Sequence, residues 1–114
     1  MNTILLQKTY GLYSQLTKHI AQFPKFDRYS LGLKLDKSCL LLLEQIITAE
    51  QTAPVLKDKA LLEASVKAEI IKIFLRLAME QKLIKETNYF AWSAMLIEIG
   101  KMIGGWKKSL RVQT

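Results

Sequence analysis

The chain has 114 residues, half of them hydrophobic, and a formal net charge of +7. This length excludes a second domain, so we expect residues 1–114 to form a single domain. The positive charge favours polyanionic partners such as nucleic acid. The single cysteine, Cys39, excludes an internal disulfide. We find neither an export signal nor the roughly 18 to 20 consecutive apolar residues of a bilayer-spanning helix, which predicts a cytoplasmic protein.

Four blocks of apolar residues at steps of three and four predict four helices. The first is predicted from about Thr3 to Gln22 and ends before Pro24. Its apolar face is Leu5, Leu12, Leu16, Ile20 and Phe23. The second is predicted to begin near Asp27, a good N-cap residue, and to end in the segment AEQTAP. Its apolar face is Leu31, Leu35, Cys39, Leu42, Ile46 and Ala49.

The third helix is predicted to begin near Asp58 and to end before the turn KLIKETN. Its apolar face is predicted to be Leu62, Val66, Ile70, Ile73, Phe74 and Leu77. The fourth helix has the pattern of a packed bundle helix, carried by Tyr89, Trp92, Leu96, Ile99, Ile103 and Trp106. Because short connections make neighbouring helices antiparallel, the sequence predicts an all-α, antiparallel up-down four-helix bundle.

Two runs contain more consecutive apolar residues than the core-facing side of one bundle helix requires. Cys39 to Leu43 are five consecutive apolar residues, which at about 100° per residue surround the helix. The run IIKIFLRLA in the third helix is similar. One interpretation is a generously apolar interior. The other, which we favour, is a second buried face between associated monomers, with Leu41 directed outward from the bundle.

The residues of catalytic and metal sites are scarce. One histidine, His19, and one cysteine lie in different predicted helices, and neither has a sequence partner for acid–base, nucleophilic or metal chemistry. The cluster IGKMIGGWKKS lacks the spacing of a phosphate loop, because Trp106 follows Gly105. We expect Gly104 and Gly105 to allow close helix packing. The sequence predicts no enzymatic activity, no cofactor and no metal.

Seven basic residues are the candidates for nucleic-acid binding: Lys25, Arg28, Lys72, Arg76, Lys107, Lys108 and Arg111. For the C-terminal group, stabilisation of the helix dipole is the alternative, although no acidic residue follows Glu98. For Lys72 and Arg76, ion pairs with Glu69 and Glu80 are the alternative.

The stretch FPKFDRYSLG, residues 23–32, is read mainly as a turn with a basic rim. Lys25 and Arg28 precede or enter the second helix, where amide groups add positive potential for phosphate. Phe26 and Tyr29 could stack on unpaired bases. We expect instead that these rings cap the bundle core.

FPKFDRYSLG, IIKIFLRLAMEQKLI and EIGKMIGGWKKSL together resemble a family of four-helix bundles. The family contains the accessory variability determinant (Avd) proteins of diversity-generating retroelements and the related bacterial 23S rRNA intervening-sequence proteins. The most specific elements are the group Pro24, Arg28, Tyr29 and Gly32 and the ending with Ile99, Gly100 and Gly104 to Trp106. The resemblance covers nearly the whole chain.

The resemblance implies a basic pentameric barrel. For retroelement members it implies an accessory role: binding the reverse transcriptase and the template RNA to support mutagenic cDNA synthesis. DNA is a second candidate nucleic acid for this basic chain. Family basic positions would fall on Lys25, Arg28, Lys72 and Arg76, where Lys72 replaces a common arginine and loses bidentate phosphate contact. The alternatives are an rRNA intervening-sequence protein and a structural oligomer without a nucleic-acid partner.

Overall fold

The computed structural model describes residues 3–112. This part of the chain contains four long helices and one single-turn helix, joined by short turns. They are α1 (Thr3–Ile20), α2 (Lys25–Arg28), α3 (Leu31–Gln51), α4 (Pro54–Glu80) and α5 (Glu86–Val112). The long helices run antiparallel to their neighbours, and α1 and α4 each pack against α3 and α5. The chain is an all-α four-helix bundle, as predicted, in which α1 and α4 occupy opposite corners.

The bundle core contains most of the predicted apolar faces. All five residues predicted for the first helix are buried, although α1 ends at Ile20 and Phe23 lies beyond it. All six of α3 and the four central residues of the α5 pattern, Trp92 to Ile103, are also buried. The outer members of that pattern, Tyr89 and Trp106, are partly buried against the core. Large apolar side chains at helical spacing form one face of each helix, and the burial of these faces stabilises the bundle.

Two predicted helix starts are wrong. The second long helix begins at Leu31, and Asp27 lies inside α2 instead of capping α3. The third begins four residues before Asp58, because Pro54 takes the first helical position, where its missing N–H costs no hydrogen bond.

The predicted apolar face of α4 is wrong by almost half a turn. Its buried face is Ala60, Leu61, Ala64, Ala68, Ile71, Leu75 and Ala78. Of the predicted residues, Leu62, Val66, Ile73 and Leu77 are exposed, while Ile70 and Phe74 are intermediate. Four of these seven buried residues are alanines, and several of the larger apolar side chains of α4 lie on its outer surface.

The Cys39 to Leu43 run surrounds α3 as expected. Cys39 and Leu42 are buried, whereas Leu40 and Leu41 are 43% and 38% exposed. The outward position predicted for Leu41 is confirmed. The packing role predicted for Gly104 and Gly105 is wrong within the protomer, because both are exposed and a Cβ atom at either would meet nothing within 4 Å.

Candidate nucleic-acid interface

The connection between α1 and α3 presents two cations at one end of the bundle. After buried Phe23, the chain makes the single turn of α2, where Lys25 and Arg28 are exposed. Arg28 Nη2 donates a hydrogen bond to the Phe23 carbonyl oxygen at 3.4 Å. Its guanidinium carbon lies 6.0 Å from the centre of the Tyr29 ring, within cation–π range. Both cations remain accessible to an anion.

The two aromatic rings of this connection face solvent. Phe26 is 81% exposed and Tyr29 is 65% exposed, so the prediction that they cap the core is wrong. The reason is that Phe23, at 4% exposure, already fills the end of the core, while α2 packs on the outside of α3. Exposed rings beside cations are suited to stack on unpaired bases.

The two predicted cations of α4 are paired with acids of the same helix. Lys72 Nζ lies 2.7 Å from Glu69 Oε1, and Arg76 Nε lies 3.4 Å from Glu80 Oε2. The ion pairs expected from the i,i+3 and i,i+4 spacing are therefore present. Because their charge is partly compensated, Lys72 and Arg76 attract a polyanion less than unpaired cations do.

A basic groove lies between α4 and the last two turns of α5. Its volume is about 370 Å³, and it is lined by Ser65, Gly104, Lys107, Lys108 and Arg111. Neither Lys107 nor Lys108 makes an ion pair with any described residue. The groove is open beside Gly104, where there is no side chain. This C-terminal basic groove combines ammonium and guanidinium donors with room for a phosphate group.

Sequence reasoning found the cations of this groove but missed Ser65 and the part played by Gly104. Positions 104, 107, 108 and 111 have the i, i+3, i+4, i+7 spacing of one helix face, so that signal was available. Ser65 joins them only through the register of α4 against α5, which no single helix pattern reveals.

The structure does not bring the seven predicted cations together within one protomer. Lys25 and Arg28 lie at the bundle end where α1 ends and α5 begins, since His19 and Asn88 are in contact there. The C-terminal basic groove lies towards the other end of α5, a 27-residue helix and so about 40 Å long. One chain therefore offers two separate basic surfaces.

A comparison with protein-family models assigns the chain to a family. The model described as bAvd-like matches residues 3–110. The chain belongs to the bAvd-like family. None of the curated proteins and none of the solved structures that were compared with the chain matches it.

The bAvd-like match extends over both basic surfaces. It includes every predicted cation except Arg111, which follows the last matched residue. The four-helix bundle of the structure agrees with the resemblance seen in the sequence.

His19 of this bAvd-like chain has a structural position at the end of α1. Its Nδ1 lies 3.2 Å from the Gln15 carbonyl oxygen and its Nε2 lies 3.3 Å from Asn88 Nδ2. Its ring meets Trp92 edge to face, with centroids 4.7 Å apart. The contacts with Asn88 and Trp92 join α1 to α5.

Cys39 is a buried thiol in the bundle core. Burial, with the nearby Asp36 carboxylate, raises its pKa to about 12. This thiol is therefore not activated as a nucleophile. Among residues 3–112, we find no cluster of three or more His, Cys, Asp or Glu side chains that could hold a metal ion. None of the helices in this range combines the length and the apolar character that a membrane span requires.

Proposed function

We propose that this protein is the accessory protein of a diversity-generating retroelement. It binds the element's reverse transcriptase and template RNA in the cytoplasm and supports mutagenic cDNA synthesis without being a polymerase itself. Support comes from the bAvd-like match over residues 3–110, together with the accessory role that the sequence resemblance implies.

The C-terminal basic groove is the observation on which the nucleic-acid part of this proposal rests. Lys107 and Lys108 are unpaired among the described residues and border an open groove with Arg111. Phosphate contacts of this kind supply affinity and orientation without reading sequence. We therefore expect similar binding to RNA and DNA single strands of different sequence.

Assembly into a homopentamer would multiply these surfaces. Each chain has a net charge of +7, so a ring of five copies would carry five times that charge. Repetition by symmetry concentrates positive potential and steers a polyanion to the ring. Lys25 and Arg28 would form a second basic surface at the other end of each bundle.

A filter-retention assay with labelled single-stranded RNA tests nucleic-acid binding. The logarithm of the binding constant should fall linearly with the logarithm of salt concentration, by about 0.7 for each phosphate neutralised. Lys107→Ala/Lys108→Ala should flatten this slope. The matched control is Lys34→Ala/Lys85→Ala, which removes two exposed lysines away from the groove. It should change the slope less.

No RNA or DNA retention at about 50 mM salt, where phosphate-driven binding is strong, would contradict the proposal. That result would favour a structural oligomer without a nucleic-acid partner. The ion pairs of Lys72 and Arg76 are also consistent with such an oligomer.

The genomic neighbourhood distinguishes the retroelement accessory protein from an rRNA intervening-sequence protein. A reverse-transcriptase reading frame with near-identical repeats supports the retroelement role, whereas an enclosing rRNA gene supports an intervening-sequence protein.

A further inference from the structure

The outer face of α4 is an apolar stripe with no partner in the described chain. We call it the α4 outer stripe, and it consists of Val55, Leu62, Val66, Ile73 and Leu77. Steps of seven and four residues keep these side chains on one face, along about 33 Å of helix. Their exposed fractions run from 38% to 84%. A helix of an isolated bundle has polar residues on this side, so the stripe fits a face that another protein covers.

A second apolar surface lies between α1 and α3. It is a groove of about 300 Å³ lined by Leu6, Gln7, Tyr10, Leu43 and Ile47, which we call the α1–α3 groove. Leu33 and Leu40 extend its apolar border along α3 at seven-residue steps from Ile47, and both are about 40% exposed. Four of the five lining residues are Leu, Ile or Tyr, so the groove suits an apolar occupant.

These two surfaces differ in shape and in direction. The stripe is the convex side of a single helix, whereas the groove is the furrow between two helices. Since α1 and α4 occupy opposite corners of the bundle, neither surface can reach the other within one chain. A pairing of the stripe with its own copy would leave the groove exposed.

We infer that the α4 outer stripe of one copy binds in the α1–α3 groove of the next copy. This inference rests on the self-assembly proposed above and specifies its contact. Binding of one surface to a different surface of an identical chain is a heterologous contact, which closes into a ring when the rotation between copies permits. A second copy is the occupant that buries both surfaces with one type of contact.

The heights of the two surfaces along the bundle agree with this contact. Gln45 on α3 lies beside Ala60 and Glu63 on α4, so Leu62 is level with the residues around position 44. Leu43, at that height, lines the α1–α3 groove. Copies related by rotation about an axis parallel to the helices keep their height, so stripe and groove meet without a shift.

Charge is complementary at the edge of the same contact. Lys59 borders the stripe on the side that faces α3, and it lies level with Glu44 because both flank Gln45. Both side chains are exposed, and neither forms an ion pair with a described residue. When the stripe enters the groove, Lys59 of one copy is on the side of the α3 helix of the next copy, where Glu44 lies.

Disulfide cross-linking tests which surfaces touch. The double variant Val66→Cys/Tyr10→Cys has one thiol in the stripe and one in the groove, at similar heights, while native Cys39 is buried and does not compete. After mild oxidation, denaturing gels should show a ladder of linked chains. Each single variant should stay unlinked. As a control, Val66→Cys/Phe90→Cys, whose second site is exposed on α5 outside both surfaces, should form no ladder.

The other outcomes overturn the inference in distinguishable ways. A linked dimer from Val66→Cys alone would show that the stripe pairs with itself about a two-fold axis. If light scattering shows an oligomer but the double variant forms no ladder, this contact is refuted and the proposed assembly stands. A monomer at micromolar concentration would refute both. If the double variant loses its helical circular dichroism, Val55→Cys/Ile47→Cys tests the same contact near the other end of the stripe.

Discussion

Gly32 lies so close to Ile20 that a Cβ atom at position 32 would stand 2.9 Å from the Ile20 Cγ2 atom. The same atom would lie 3.1 Å from the Asp27 carbonyl oxygen and 3.4 Å from a ring carbon of Phe23. The missing side chain therefore lets the first turn of α3 lie against the end of α1 and against α2. This close approach gives a physical reason for the glycine that ends FPKFDRYSLG.

Replacing Gly32 by alanine should destabilise the bundle. We expect Gly32→Ala to lower the free energy of unfolding by about 1–3 kcal/mol, because an added methyl group forces packed neighbours apart. Urea denaturation followed by circular dichroism measures this at fixed protein concentration. Gly11→Ala is the matched control, since Gly11 lies inside α1 with nothing within 4 Å of its Cβ position. It should stabilise by about 0.5–1 kcal/mol, and equal effects at the two sites would contradict the close packing.

Filling the C-terminal basic groove should weaken RNA binding without weakening the fold. Gly104→Leu places a side chain in the groove, and we expect RNA affinity to fall about tenfold, which corresponds to about 1.4 kcal/mol. Gly105→Leu is the control, because Gly105 is also exposed in α5 but does not line the groove. Fluorescence anisotropy with labelled RNA compares the two. Equal affinities of the two variants would show that the groove does not hold the RNA.

The sequence predicted helices best where large side chains face inward. In α5, Trp92 and Leu96 lie at helical spacing and are buried, so pattern and core agree. In α4 the pattern misled, because the core positions are mostly alanines and the larger Leu62 and Val66 point outward. Hydrophobic periodicity locates an apolar face, but it does not say whether that face meets the chain's own core or another surface.

The candidate site was predicted as a set of charges and not as a geometry. Lys107 and Lys108 were found because cations without nearby acids are visible in the sequence. The compensation of Lys72 by Glu69 was also visible in the spacing. The groove with Ser65 was not visible in the sequence, because it depends on how α4 and α5 are placed against each other.

The two tryptophans should contribute unequally to stability. Trp92 is 1% exposed, and its Nε1 donates a hydrogen bond to Gln15 Oε1 at 2.9 Å. We expect Trp92→Ala to cost about 3–5 kcal/mol, as large buried aromatics do. Trp106 is only partly buried at the edge of the core, so Trp106→Ala should cost clearly less. Chemical denaturation of both variants tests this order. A loss of unfolding free energy in Trp106→Ala equal to or larger than that in Trp92→Ala would contradict it.

Stability should fall in alkaline solution because of two acidic side chains, the buried Cys39 thiol and the partly buried Tyr13 hydroxyl. Burial, with the nearby Asp36 carboxylate as a smaller cause, raises the pKa of the Cys39 thiol from 9.0 to about 12. Burial and the hydrogen bond to Asp36 raise the pKa of Tyr13 from 10.0 to about 12. Between the ordinary pKa of each group and its raised pKa of about 12, the folded state binds more protons than the unfolded state. The free energy of unfolding therefore decreases as pH rises from about 9.

Urea denaturation at about pH 8 and about pH 10.5, below and within that window, measures this loss. Cys39→Val removes the thiol and keeps an apolar side chain, so its stability should fall less steeply with pH than that of the wild type. The same pH dependence in both proteins would show that the Cys39 thiol does not contribute.

Reconstituted cDNA synthesis tests the accessory role most directly. The reverse transcriptase of the proposed retroelement is incubated with its template RNA and with the wild-type protein, with Lys107→Ala/Lys108→Ala, or with neither. We predict that mutated, template-directed cDNA forms in quantity only with the wild-type protein and decreases with the double variant. The same yield and mutation frequency of cDNA with and without the protein would contradict the account.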